Sequence, residues 1–163
     1  MLEKRNKFIL IIVAVLLGLS LLAAGGSTKV AEIKFGENTD VSLGRAGLVF
    51  TSSQYNGTVK ITRVSRGNLP GVSAPRLTQN AIHVRLYDEN NQKVTYVVGP
   101  VYVYFKIRGA EQRLWNRGEL TIYYFDGTKN QWTECPTSYI FKSGSSRVSC
   151  RVRAMGLYGV GVK

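Results

Sequence analysis

Histidine, cysteine and acidic side chains are scarce in this 163-residue sequence. It contains one histidine, two cysteines, and 10 Asp and Glu against 22 Lys and Arg. One histidine excludes most histidine-based metal centres, and two cysteines exclude a disulfide-dense mini-protein and a cysteine-rich zinc site. The acidic deficit leaves a formal net charge of +12, and 44% of the residues are hydrophobic. A chain of this length and composition can bury a sizeable core.

A long uncharged run lies near the N-terminus. Residues 8–24 carry no charge and follow a basic flank with Lys4, Arg5 and Lys7. This layout is typical of a secretory signal, although 17 residues also reach the lower limit for a spanning helix of about 25 Å. Alanine and glycine at residues 23–26 offer peptidase sites and favour cleavage. We therefore predict a signal peptide or membrane anchor at residues 1–24. The rest of the protein is expected to be secreted or extracytoplasmic, and to be membrane-anchored if residues 1–24 are not cleaved.

Residues 25–163 are predicted to form a single all-β domain. Short runs with a period of two are separated by Gly, Asn and Asp turns, and almost no helical pattern appears after residue 26. Ile82, Val84 and Leu86 are expected to point inward from one such run. Residues 65–79, with two prolines and two glycines, are predicted to be a surface loop. About eight or nine strands at this spacing favour a two-sheet antiparallel sandwich.

The two cysteines are predicted to form a disulfide bond. Cys135 and Cys150 lie on or beside two predicted strands joined by a Gly- and Ser-rich loop. If those strands pair, the cysteines can meet, and outside the cytoplasm the oxidised state is expected. A reactive thiol would need a nearby base, and the sequence places none close to either cysteine.

The second half of the chain carries a pattern of strands and turns. It comprises residues 86–88 (LYD), 99–101 (GPV), 120–126 (LTIYYFD), Trp132, and a closing segment at residues 156–160 (GLYGV). Over residues 80–163 this pattern resembles the spectrin-binding-type β-sandwich modules of ankyrins and netrin receptors, and their relatives in bacterial surface proteins. The disulfide pair is not part of that pattern. The resemblance implies an interaction or scaffold role and identifies no ligand.

The sequence offers little that could support catalysis. His83, the one available imidazole, sits in mid-strand on the predicted outward face, and no Gly-x-Ser-x-Gly turn is present. Most carboxylates lie at turns, where Asp is common for conformational reasons. The sequence therefore predicts neither an enzyme nor a cofactor or metal site.

Strand alternation sends basic and tyrosine side chains outward from three predicted strands, at residues 81–87, 101–107 and 147–153. On the first of these, His83 and Tyr87 flank an arginine. If the three strands share a sheet, that sheet presents a basic, tyrosine-bearing surface. The predicted anion-binding residues are Arg85, Tyr102, Tyr104, Lys106, Arg108, Arg147, Arg151 and Arg153.

This surface suggests a class of partner. Arginine binds phosphate, sulfate and carboxylate in bidentate fashion, and tyrosine offers a stacking face for sugars or bases. We expect a non-catalytic binding or structural module that contacts an anionic polysaccharide, a wall polymer, lipid headgroups or nucleic acid. One alternative is a subunit of a cell-surface or filament assembly that buries this face in a homo-oligomer or against a surface-protein partner. A second is a solvated sheet face with no ligand.

Overall fold

The computed structural model describes residues 27–71, 73–142 and 144–163, which form two antiparallel sheets packed face to face. The predicted all-β sandwich is confirmed at this level. The described elements are β1 (Thr28–Ile33), β2 (Thr39–Leu43), β3 (Ala46–Phe50), β4 (Gly57–Val64), β5 (Ala81–Asp88), β6 (Lys93–Val94), β7 (Tyr96–Lys106), α1 (Ala110–Asn116), β8 (Leu120–Asp126), β9 (Gln131–Cys135), β10 (Thr137–Lys142), β11 (Ser145–Ala154) and β12 (Leu157–Val162). The predicted signal or anchor at residues 1–24 lies outside the described residues.

The strand order interleaves the two sheets along the chain. The seven-stranded sheet has the order β1-β4-β5-β12-β8-β9, with the short β6 paired to β5. The five-stranded sheet has the order β10-β11-β7-β3-β2. No helix among the described residues is both long enough and apolar enough to cross a membrane.

The core lies between the sheets and follows the alternation in the sequence. The inward residues predicted on β5, namely Ile82, Val84 and Leu86, are all buried. The inward residues that alternation gives for the predicted strands at 101–107 and 147–153 are also buried, namely Val101, Val103, Phe105, Ile107, Val148, Cys150 and Val152. Their outward neighbours leave the opposite face of each sheet available to solvent or to a further layer.

The predicted surface loop forms such a layer over part of the seven-stranded sheet. The described part of this loop, residues 65–71 and 73–79, contains one 3-10 turn, Arg66–Asn68, and packs Leu77 against the outer side of β12. Glycine makes this approach possible, because a Cβ at Gly159 would lie 2.5 Å from Cδ1 of Leu77. The indole N–H of Trp132 donates a hydrogen bond to the Pro70 carbonyl at 3.0 Å and holds the other end of the loop.

The structure has more elements than the sequence predicts: twelve described strands and one short helix. The additional strands include β2 and β10, each of which forms an edge of the five-stranded sheet. The helix α1 spans seven residues and packs Leu114 and Trp115 against the core. Two turns of helix are too short to produce a clear period of 3.6 in the sequence.

The predicted disulfide is present, with a Cα–Cα distance of 6.0 Å between Cys135 and Cys150. The strands that carry the two cysteines, β9 and β11, do not pair with each other as the sequence suggested. β9 pairs with β8 in one sheet, whereas Cys150 of β11 lies opposite Thr137 in the other. The bond therefore links the two sheets covalently.

Candidate functional site

Two of the three predicted basic strands are neighbours in the five-stranded sheet. In the antiparallel register of β7 and β11, Lys106 lies opposite Arg147 and Tyr102 lies opposite Arg151. Directly opposed residues project from the same face, so these four side chains share the outer face of this sheet. Like charges in opposed positions destabilise a sheet, and the Lys106 and Arg147 pair is such a case.

Arg85 does not join this group. Its strand, β5, belongs to the seven-stranded sheet, where Arg85 lies opposite Lys60 of β4. The condition that all three strands share one sheet is therefore not met. His83 and Tyr87 accompany Arg85 on that second face, on the far side of the sandwich from Arg151.

Tyr104 and Arg147 are held in a structural cluster with Asp40. Tyr104 is 3% exposed, and its hydroxyl donates a hydrogen bond to Oδ1 of Asp40 at 2.8 Å. The Arg147 guanidinium carbon lies 4.5 Å from the Tyr104 ring centre, and Nη1 lies 3.4 Å from Oδ2 of Asp40. Gly47 leaves room for the ring, since an added Cβ there would overlap it. Tyr104 is thus not a free stacking face, and the charge of Arg147 is largely compensated.

Burial and the hydrogen bond to Asp40 raise the pKa of Tyr104 well above its ordinary value. The phenol consequently keeps its proton and remains a hydrogen-bond donor throughout the physiological range. This places Tyr104 in the framework beneath the surface.

Lys106 and Arg108 mark the end of β7. Lys106 is the last residue of the strand and is partly exposed. Arg108 follows the strand, is exposed, and donates its backbone N–H to Oε2 of Glu111 at 3.3 Å. Both cations lie away from Arg151, towards the end of the sandwich where α1 begins.

Arg151, Arg153 and Tyr102 remain as the accessible group. Both arginines are exposed, and neither forms an ion pair with a carboxylate of the described residues. They line a groove of about 440 Å³ with Tyr124, Tyr158 and Cys135 at its other walls. We call this the seam groove, because it runs between β9 of one sheet and β11 of the other.

The seam groove continues into a larger one of about 900 Å³ that shares Tyr124 and Ala154 with it. Tyr96 and Phe125 add two further aromatic side chains to the lining. Tyr96 is 74% exposed, and a shift in the register of β7 and β11 places Ala154 opposite Tyr96, although Val152 lies opposite Val101. Alternation alone does not reveal Tyr96 as a neighbour of Ala154 in this groove, since their pairing depends on the register shift.

The carboxylates that line these grooves already have partners within the protein. Glu134 lies 3.9 Å from Nζ of Lys163. Asp126 accepts the backbone N–H groups of Thr128 at 2.9 Å and Lys129 at 3.3 Å. No group of three or more His, Cys, Asp or Glu that could hold a metal ion occurs among the described residues. The chemistry that the site offers is therefore cationic and aromatic.

His83 also lines the larger groove. Burial lowers its pKa, and the positive charges of Arg85 and Lys93 lower it further. Nη2 of Arg85 lies 3.3 Å from Nδ1 of His83, so the guanidinium can donate to the unprotonated nitrogen. In this arrangement His83 accepts a hydrogen bond from its own strand.

Replacing His83 with glutamine should reduce the loss of stability on mild acidification. The ordinary pKa of 6.5 applies to the unfolded chain, whereas the folded pKa is lower. The unfolded state therefore binds more protons, and the free energy of unfolding falls as the pH drops through about 6.5. Urea unfolding between about pH 7.5 and about pH 5.5 should show a steeper decline for the wild type than for His83→Gln. His83 is the sole histidine of the chain, so parallel curves would contradict this assignment.

Comparison of the chain with protein-family models, with curated proteins and with solved structures finds no match. The resemblance of residues 80–163 to spectrin-binding-type modules therefore stays a prediction, and the site is interpreted from its own geometry.

Proposed function

We propose that this protein is a non-catalytic binding module that holds an anionic polymer outside the cytoplasmic membrane. The polymer, an acidic polysaccharide, wall polymer or nucleic acid, would contact Arg151, Arg153 and Tyr102. One observation carries the proposal: both arginines lack a carboxylate partner among the described residues, and they border a tyrosine-lined groove. Guanidinium groups beside aromatic rings suit a chain of anionic sugars or nucleotides.

The charge balance of the folded region supports this assignment. Residues 25–163 contain 19 basic and 9 acidic side chains, a difference of +10. Asp40 compensates Arg147 within the outer face, so the uncompensated charge there lies on Lys106, Arg151 and Arg153. A field of one sign attracts polyanions from a distance and makes their binding sensitive to salt.

The shape of the site supports a polymer rather than a compact ligand. The seam groove is open and continues past Tyr124 into the larger groove. Tyr96 is 74% exposed along this path and could stack on one ring of an extended ligand, whereas Tyr158 is buried and packs against Tyr124. A polymer that follows the path would meet cations at one end and aromatic rings at the other.

The proposed location rests on the leader and the disulfide. The apolar run at residues 8–24 predicts export or anchoring. Disulfides persist mainly in oxidising compartments, and the Cys135–Cys150 bond supports the same location.

Binding of the full chain to heparin and to single-stranded DNA should weaken steeply with salt. If about three cations contact the polymer, affinity for single-stranded DNA should fall roughly 20-fold between about 50 mM and about 200 mM salt. Replacing both Arg151 and Arg153 with glutamine should lower the affinity at least about tenfold at low salt and flatten this dependence.

The matched control removes the same charge from the opposite face. Lys60→Gln with Arg85→Gln changes two cations that lie opposite each other on β4 and β5, and it should leave binding within about twofold of wild type. Equal losses in both double variants would show that net charge alone governs binding. Retention on heparin at about 0.5 M salt, unchanged from low salt, would also refute the proposal.

The alternative of an assembly subunit has its own support. Val98 is 72% exposed beside the similarly exposed Tyr96, and Ile140 of β10 shares the outer face with Arg147. Such apolar side chains could be buried against copies of this chain or a surface-protein partner. Sedimentation of the full chain distinguishes the two, because assembly would depend on protein concentration and would weaken on replacing Val98 rather than Arg151.

A further inference from the structure

A second basic site lies at one end of the sandwich, away from the seam groove. It is a pocket of about 310 Å³ lined by three arginines, Arg45, Arg63 and Arg66, and by Thr78, Gln79 and Asn80. Its walls come from the turn between β2 and β3, the end of β4, and the loop before β5. We call it the end pocket. Its volume lies at the lower limit of small-ligand sites, about 300 Å³.

Arg45 and Arg66 of the end pocket are each held by hydrogen bonds to a backbone carbonyl. Arg45 donates through Nε and Nη2 to the Lys106 carbonyl at 3.2 and 2.9 Å. Arg66 donates through Nη1 to the Leu77 carbonyl at 3.2 Å. Arg63 lies over the turn at Gly44, where an added Cβ would be 2.6 Å from Nη2. The guanidinium groups of Arg45 and Arg66 are therefore positioned by the fold before any ligand arrives, whereas Arg63 is exposed beside them.

The charge of this group is only partly compensated. Glu111 contacts Arg45 and neutralises it from the side of α1. Arg63 and Arg66 form no ion pair with the described carboxylates, and none of the described lining residues is acidic. Two guanidinium groups gathered at one small pocket repel each other unless an anion lies between them.

We propose that the end pocket binds a compact tetrahedral oxyanion, the phosphate or sulfate group of a small ester, between Arg63 and Arg66. The planar fork of arginine donates two parallel hydrogen bonds to two oxygens of such a group. Asn80 supplies an amide at the same pocket, whereas the amide nitrogen of Gln79 is already bonded to the Lys106 carbonyl at 3.0 Å. The small volume suits one anionic group rather than the polymer proposed for the seam groove.

Titration of inorganic phosphate into the full chain, in a chloride buffer, tests this site by calorimetry. Wild type should show saturable binding to one site, which inorganic sulfate displaces and acetate does not. Replacing both Arg63 and Arg66 with glutamine should weaken phosphate binding at least about tenfold. The control is Arg151→Gln with Arg153→Gln, which removes the same charge and should leave phosphate binding within about twofold.

The outcomes separate this site from the proposed function. Loss of phosphate binding in the first double variant and loss of polymer binding in the second are independent measurements. No saturable phosphate binding by wild type, equal losses in both variants, or displacement by acetate at equal concentration would each overturn the proposal. Binding of glucose 6-phosphate or of phosphatidic acid vesicles shows whether a soluble ester or a lipid headgroup fits the end pocket. Binding to the vesicles without binding to free phosphate would also overturn the proposal.

A measurement on wild type alone guards against a variant that fails to fold. In nitrogen-15 spectra of the full chain, the Nε–H resonances of Arg63 and Arg66 should shift progressively with phosphate. Those of Arg151 and Arg153 should stay in place over the same range. Shifts confined to the second pair would refute the assignment of the end pocket.

Discussion

Removing the disulfide should lower the free energy of unfolding by about 3 kcal/mol, the value that the chain-entropy model gives for a closed loop of 15 residues. Cys135 and Cys150 lie on strands of different sheets in the folded protein, and in the unfolded chain the bond restricts how far these two segments can separate. For a folded region of this size the loss corresponds to a fall of roughly 10 °C in Tm. Urea and thermal unfolding of Cys135→Ala with Cys150→Ala measure it.

Reduction of the wild type provides the control. Wild type in reductant should unfold at nearly the same urea concentration as the double variant, and reductant should have no effect on the variant itself. If the variant is much less stable than reduced wild type, the cause is the space left by the buried Cys150 side chain rather than the lost bond. Coincident midpoints for oxidised and reduced wild type would contradict a stabilising role for the bond.

The ion pair between Arg45 and Glu111 should show the second large effect. Glu111 lies in the first turn of α1 with its side chain 9% exposed, and it also accepts the Arg108 backbone N–H at 3.3 Å. Glu111→Gln leaves the Arg45 charge without its partner. We expect a loss of about 2 to 3 kcal/mol, near the lower end of the range for buried pairs because the Arg45 side chain is 34% exposed.

Glu119 offers a matched control on the surface. Its carboxylate lies 2.7 Å from Nη2 of Arg117, and the two side chains are 45% and 58% exposed. Exposed pairs contribute about 1 kcal/mol or less, so Glu119→Gln should be well tolerated, and its small effect on the free energy of unfolding should decrease further with added salt. Urea unfolding of both variants decides the matter: equal effects would mean that burial gives the Glu111 pair no special weight.

Alternation in the sequence predicts the core because it records burial on one face of a strand. Ile82, Val84 and Leu86 are identified this way, and so is Phe105. Alternation does not predict which strands are neighbours in a sheet, because strand pairing involves segments that are distant in the sequence. Arg85 and Arg151 have equivalent outward positions in their strands, yet the fold places them on different sheets.

At the candidate site too, alternation predicts which side of a strand a residue occupies but not what the residue contacts there. Alternation correctly sends Tyr104 to the outer side of β7, but Gly47 and Asp40, from two other strands, draw it into a buried cluster. Tyr96 becomes a groove residue only through the register shift between β7 and β11. Arg63 and Arg66 are three residues apart in the sequence, but no local spacing unites them with Arg45, which lies in the turn between β2 and β3.

The position of β12 has a consequence for how the sheet can be completed. This strand follows all the others in the chain, yet it lies in the middle of the seven-stranded sheet, between β5 and β8. Until residues Leu157–Val162 are in place, β1-β4-β5 and β8-β9 remain two separate fragments with unpaired inner edges. Such pairing between distant segments is slow to form. If the protein is exported as proposed, its seven-stranded sheet can therefore close only after residues Leu157–Val162 have emerged from the membrane.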